Sequence, residues 1–182
     1  MRLATRTLTH RLRTPFRVAH GTSDTRTTVY ATLAHGPHVG TGEGALVPYY
    51  PYRLGDLTAW LDAAVASDLG DALDAAVRSD GTLDLDAALA LAARYAGDGP
   101  APARAALDGA VHDLWGKMAG QPLWRLWGLD AARVPPSSFT LSIPETEADY
   151  RDALARVAHL PVLKLKVGTG DALNDVPIPA TN

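Results

Sequence analysis

Between Arg2 and Ala45, apolar residues are spaced by polar ones with a short period, as in Thr27-Thr28-Val29-Tyr30-Ala31-Thr32-Leu33. β-Branched and aromatic residues in that spacing suit short antiparallel strands. The pattern predicts a small meander, with a loop at His20-Gly21-Thr22-Ser23-Asp24 and a turn at Gly36-Pro37. From Leu54 to Ala96 helix formers replace the β-branched residues, and Thr58 to Val65 and Asp84 to Tyr95 read as helices. The clearest helix follows Gly99-Pro100, where Leu107, Ala110, Val111, Leu114, Trp115 and Met118 recur at steps of three and four. Gly120 caps it and Pro122 prevents its continuation until a short turn from Leu123 to Trp127. Extended stretches at Ser138–Ile143 and Val162–Val167 flank a helical stretch from Glu145 to Ala158. Strand, helix and strand in that order predict a βαβ unit, whose strands pair in parallel through a right-handed crossover.

Composition narrows the setting. The chain has 182 residues, 47% hydrophobic and 20% charged, with a formal net charge of −3, as in ordinary globular proteins. Interspersed charge without a Lys/Arg block argues against nucleic acid or an anionic membrane as partner. No cysteine is present, which excludes disulfides and thiolate chemistry. The basic opening Met1-Arg2-Leu3-Ala4-Thr5-Arg6 has no apolar stretch after it, and no apolar run reaches the ~18 residues of a membrane span. A cytoplasmic location is therefore expected.

Few residues offer chemistry. Lys164 and Lys166 flank Leu165, and the period of two places both ammonium groups on one face of their strand. Like charges side by side make one of the pair readier to give up its proton, as a base requires. The same spacing also suits two lysines guarding an exposed edge strand. His35 and His38 enclose Gly36-Pro37 and read as a turn, not a metal-ligand pair. Gly40, Gly42 and Gly44 lack the strand-to-helix setting of a phosphate loop and read as strand glycines. No G-x-S-x-G elbow surrounds Ser137 or Ser138. Trp115, Trp124 and Trp127 read as packing residues.

Taken in series, several strings resemble the enolase superfamily, in its muconate-lactonising and dipeptide-epimerase branch. Pro15 to Ala19 with Thr27 to Leu33 resembles the opening hairpin and substrate loop of the capping domain, and Gly40-Thr41-Gly42-Glu43-Gly44 its G-x-G-E strand. The run from Ala106 to Lys117 with Gly120-Gln121-Pro122-Leu123 resembles the helix and turn joining cap to barrel. Ser138-Phe139-Thr140 and Leu163-Lys164-Leu165-Lys166-Val167-Gly168 resemble the first barrel strand and the K-x-K strand. The resemblance implies an α+β capping domain over residues 1–132 and, over 133–182, the first βαβ unit of a truncated (β/α)8 barrel.

It implies further that the parent enzyme is an isomerase using magnesium to stabilise the enolate left when a proton α to a carboxylate is removed. By the same resemblance Lys166 is the acid/base, Lys164 its neighbour, Thr140 a substrate contact, and His20, Gly21 and Thr22 part of the loop that shapes specificity. Gly21 stands near the place where some relatives carry an arginine for an acidic substrate side chain. The substrate is a small dipeptide of the L-Ala-D/L-Glu kind or, for a racemase of the same superfamily, an N-acyl amino acid; o-succinylbenzoate synthase is a third member to weigh. A complete barrel takes about 250 residues, so most strands are expected to be absent, and with them the magnesium ligands. Such a chain is a fragment, a frameshifted product, one piece of a split protein, or a non-catalytic binding or assembly module. With its barrel strands unclosed it is expected to be catalytically inactive and to self-associate as a homo-oligomer or aggregate.

Overall fold

A computed structural model describes residues 1–19, 21–97 and 99–168, which fall into two compact units. The first comprises Met1–His10 and Arg26–Ala132, and the second Arg11–Thr25 and Arg133–Asn182. The expected division was 1–132 and 133–182. The hairpin segment Arg11–Thr25 is the difference, because it is counted with the later part of the chain.

In place of several short strands, the opening forms two long ones, β1 (Arg2–Val18) and β2 (Gly21–His35), followed by β3 (His38–Ala45). They make a three-stranded sheet in the order β1-β2-β3. β2 and β3 are antiparallel, with Thr28 opposite Ala45 and His35 opposite His38. Gly36 turns the chain at φ +54°, a conformation suited to glycine, and the Gly36-Pro37 turn lies where the sequence places it. The expected loop at 20–24 is shorter than read. Gly21 to Asp24 are already strand, and His20 lies outside the described residues.

The helices of the first unit are α1 (Leu54–Ala66), α2 (Leu69–Asp74), α3 (Leu85–Ala96), α4 (Ala101–Ala119) and the short α5 (Leu123–Leu126). The Asp84 carboxylate caps α3, accepting from the Ala87 N–H, and Gly120 closes α4 in the left-handed conformation at φ +62°. Ala103, Ala106, Leu107, Ala110, Val111 and Leu114 form the buried stripe of α4, joined in one core by Val29, Ala31 and Leu33 of β2. β3 contributes no side chain to this layer. Its inward positions are Gly40, Gly42 and Gly44, and added Cβ atoms there would lie 2.2, 2.0 and 2.2 Å from the carbonyl oxygens of Ala110, Ala106 and Pro102. The strand thus lies directly on the backbone of α4. Asp113 fixes the register by accepting from the Thr41 N–H and from Lys117 Nζ, each at 2.7 Å, while Lys117 also donates to the Val39 carbonyl.

At the other edge of the unit, Asp74 accepts from the terminal ammonium of Met1 and from His35 Nδ1. The hydrogen bond from that ammonium, with the charge of Met1 and the hydrogen bond and charge of His35, holds the Asp74 carboxyl below the usual carboxylate range, against the opposing effect of burial. Trp115 is half-buried against the core, but Trp124 and Trp127 are 39% and 50% exposed, contrary to the packing role expected of them. A single turn of helix cannot turn both rings inward, and Trp127 instead meets His112 edge-on at 5.6 Å between centroids.

In the second unit β4 (Phe139–Leu141) and β5 (Leu163–Leu165) are parallel, with α6 (Glu147–Val157) between them in sequence, as the pattern predicts. Thr146 and Asp149 cap α6 reciprocally. Leu141 and Ile143, of one parity, are buried, as are Tyr150 and Val157 two turns apart on α6. The Ile143 N–H donates to the Arg17 carbonyl at 3.0 Å.

Three outcomes follow from these contacts. Gly42→Ala destabilises the first unit by about 3 kcal/mol, since the new methyl meets backbone that cannot retreat. Gly55→Ala, on α1 with open space around it, stabilises by about 0.5–1 kcal/mol; urea denaturation of the two variants measures both. Asp74→Asn is less stable than the parent at neutral pH. The Asp74 carboxyl has its folded pKa below its unfolded one, so its contribution is full above about pH 4 and is lost as pH falls through the lower folded value. Thermal melts of parent and variant should therefore converge in acid.

Candidate active site

The parallel register brings the candidate residues of the second unit together. Thr140 stands opposite Lys164, and the Lys166 N–H donates to the Leu141 carbonyl at 3.0 Å, which carries the same register one step further. Leu141 and Ile143 occupy the apolar side of β4, so Thr140, Ser142, Lys164 and Lys166 share the opposite, polar face. Lys164 is exposed, while Lys166 and Thr140 are half-buried. The face can present two cations and a hydroxyl to an anionic group. Ser142 was missed by the sequence reading, although the period of two running on from Thr140 identifies it.

On the hairpin, Gly21 is exposed, with φ +137° and nothing within 4 Å of where a Cβ would stand. Backbone of that shape strains any side-chain-bearing residue, so an arginine at this position would be disfavoured by conformation and not by space. Thr22 and Thr140 both line one cavity of about 650 Å³, together with Phe16, Arg17, Leu141 and Tyr150. That volume lies in the range of small-molecule pockets. Neither lysine lines it. Phe139 to Ile143 line it with residues of the hairpin and of α6, and no residue of β5 does.

Among the described residues no group of three or more His, Asp or Glu stands together as a metal site. Glu147 and Asp149 occupy the first turn of α6, and Asp149 is engaged in its cap. The described residues therefore do not fit a magnesium ion. Among the described residues no helix is long and apolar enough to cross a membrane.

Comparison with known proteins places this geometry. Residues 2–128 match the family described as mandelate racemase / muconate lactonizing enzyme, N-terminal domain. An L-Ala-D/L-amino acid epimerase from Maribacter is 40% identical over 73 residues, which are 40% of this chain and 20% of that enzyme. Among solved structures, an enolase family member from Agrobacterium tumefaciens with homology to dipeptide epimerases, bound to sodium and L-Ala-L-Glu, matches with a TM-score of 0.72 and 24% identity. The match covers 95% of this chain and 48% of that one. A dipeptide epimerase from Methylococcus capsulatus, complexed with Mg and L-Arg-D-Lys, matches with a TM-score of 0.72 and 24% identity over 95% of this chain and 47% of that one. The chain thus spans about half the length of these structures. The family match covers more than half of the chain, which carries both the antiparallel sheet with its helices and a parallel strand pair: it belongs to the mandelate racemase / muconate lactonizing enzyme family of the enolase superfamily.

Proposed function

We propose that this chain supplies one proton-transfer face of an enzyme that epimerises dipeptides. The observation that carries the reading is the shared face of β4 and β5, where Lys164 and Lys166 stand on one strand and Thr140 lies directly across from Lys164. The epimerase names of the relatives support the substrate class. Lys166, held by its half-buried stem, takes the proton from the carbon next to the substrate carboxylate and returns it. Lys164 opposes the charge on Lys166 and faces the negative charge that develops on the substrate. Thr140 donates a hydrogen bond to the substrate, and the hairpin around Gly21 and Thr22 sets which side chains are accepted. With glycine at the tip, no cation extends from that position toward an acidic side chain, so neutral dipeptides are turned over as readily as L-Ala-L-Glu. Magnesium, as named for the Methylococcus neighbour, would stabilise the carboxylate when bound, but its ligands are not among the described residues of this chain.

Incubation of the protein from its complete reading frame with L-Ala-L-Glu and other L,L-dipeptides in deuterated water should show exchange at the α-carbon. Turnover of N-acyl amino acids with no exchange in any dipeptide would replace the epimerase reading with a racemase. Sequencing the gene past the Asn182 codon gives an independent check. Continuing sequence with acidic residues at strand ends supports an enzyme, and an intact stop with no such remnant supports an assembly module.

In that protein Lys166→Ala lowers kcat by at least about a thousandfold and Lys164→Ala by about a hundredfold, with circular dichroism unchanged. Near-normal exchange in Lys166→Ala would remove the chemical basis of the proposal. The 182-residue chain by itself neither epimerises dipeptides nor binds magnesium tightly, because Glu145, Glu147 and Asp149 lie at the start of α6 and not at the strand ends where barrel sites are built. Calorimetric titration with magnesium chloride should give no stoichiometric site.

A further inference from the structure

We propose that Ala19 is a positioning residue of the proton-transfer site: its methyl seats the hairpin against Gly168, two residues beyond Lys166, and so sets where Thr22 stands relative to that strand end. The role rests on the reading of Lys166 as the acid/base and of the hairpin as the part that selects the substrate's side chains.

The parallel ladder stops where the hairpin enters it. The Phe139 N–H donates to the Val162 carbonyl and the Lys166 N–H to the Leu141 carbonyl, so the odd-numbered residues of β4 bond toward β5. Continued in that register, the ladder would carry the Ile143 N–H to the Lys166 carbonyl. It donates instead to the Arg17 carbonyl at 3.0 Å. Backbone of the hairpin thus takes the acceptor's place at the C-terminal end of β4, on the side that faces β5. Two residues further on, Ala19 reaches the end of β5. Gly168 turns the chain there at φ +105°, and a Cβ built on it would lie 3.3 Å from the Ala19 Cβ, with no other atom of the described residues beyond its chain neighbours within 4 Å. Residues two apart span up to about 7 Å, enough to cross the roughly 4.8 Å between paired strands.

The hairpin is therefore fastened at both strand ends, by a hydrogen bond at β4 and by a methyl contact at β5. The two fastenings differ in kind. The first joins backbone to backbone and is indifferent to the Arg17 side chain. The second depends on size, because Ala19 brings one carbon to the contact and Gly168 brings none. A methyl on both residues crowds them, and a methyl on neither leaves the tip without its seat. Lys166 is held separately, through its N–H on the Leu141 carbonyl. A change at the seat therefore moves the hairpin, with Thr22 three residues beyond Ala19, and leaves the lysine where it is. The consequence falls on substrate binding and not on proton transfer.

The test is a double-mutant cycle in the protein from the complete reading frame, read by hydrogen exchange of the hairpin amides and by steady-state kinetics. Gly168→Ala should speed hairpin exchange about fivefold to tenfold. Part of that effect is strain, since a residue with a Cβ is disfavoured at this positive φ. Adding Ala19→Gly moves the methyl to the other side of the contact and leaves the strain unchanged, so the double variant should return to within about threefold of the parent. Ala19→Gly alone, with no methyl on either side, should exchange faster than the double variant. KM for the substrate the parent turns over should follow the same order, about fivefold raised in Gly168→Ala with kcat within about twofold. A double variant no better than Gly168→Ala would overturn the proposal, as would a fall in kcat with KM unchanged. The exchange measurement needs no substrate. Rescue in a parent that turns over only N-acyl amino acids would uphold the seat and remove the epimerase reading, whereas dipeptide turnover without rescue would remove the seat alone.

Discussion

The first unit depends on the direct contact of β3 with the backbone of α4. A helix packed on a sheet is normally held off by the side chains between them. Here Gly40, Gly42 and Gly44 leave the inward side of the strand empty, and the carbonyls of Pro102, Ala106 and Ala110 occupy the space. Those three carbonyls are four residues apart along the helix, and the three glycines two apart along the strand. The two periods nearly match because two strand residues rise about 6.6 Å and four helical residues about 6.0 Å. Once β3 is fixed, its register with β2 follows, and the side chains of Val29, Ala31 and Leu33 are aimed into the core. The polar stitching by Asp113 and Lys117 then aligns the strand along the helix without any further apolar contact.

Much of this was legible because it is written in local patterns. The stripe of α4, its glycine cap, the Gly36-Pro37 turn and the strand–helix–strand order all depend on neighbours within a few residues. Gly40, Gly42 and Gly44 were recognised as strand glycines, but their purpose was not, since it depends on carbonyls more than fifty residues away. The length of β1 and β2 was missed for a related reason: His20 to Asp24 have turn-forming side chains, yet Gly21 to Asp24 are in strand by pairing, not by propensity. Trp124 and Trp127 misled because size and apolarity suggest burial, whereas their helix is a single turn with one side against α4.

On the face that β4 and β5 share, Lys164, Lys166 and Thr140 were legible in the sequence but not the relation among them. Period two puts residues of one strand on a face; only the parallel register says which residue of the next strand joins them. That register also brings in Ser142, while neither lysine lines the cavity that Thr22 and Thr140 share.

The glycine strand also imposes an order of events during synthesis. β3 has no inward side chain with which to begin packing, and its glycines carry a large conformational entropy in the unfolded chain. It gains a stable position only when α4 exists, and about 55 residues separate Ala45 from Ala101. At roughly 5–20 residues per second, the ribosome needs several seconds to cross that interval. Throughout it the nascent chain displays a long β-ribbon with an uncovered apolar side, the period in which a chaperone that binds extended apolar segments has most to protect.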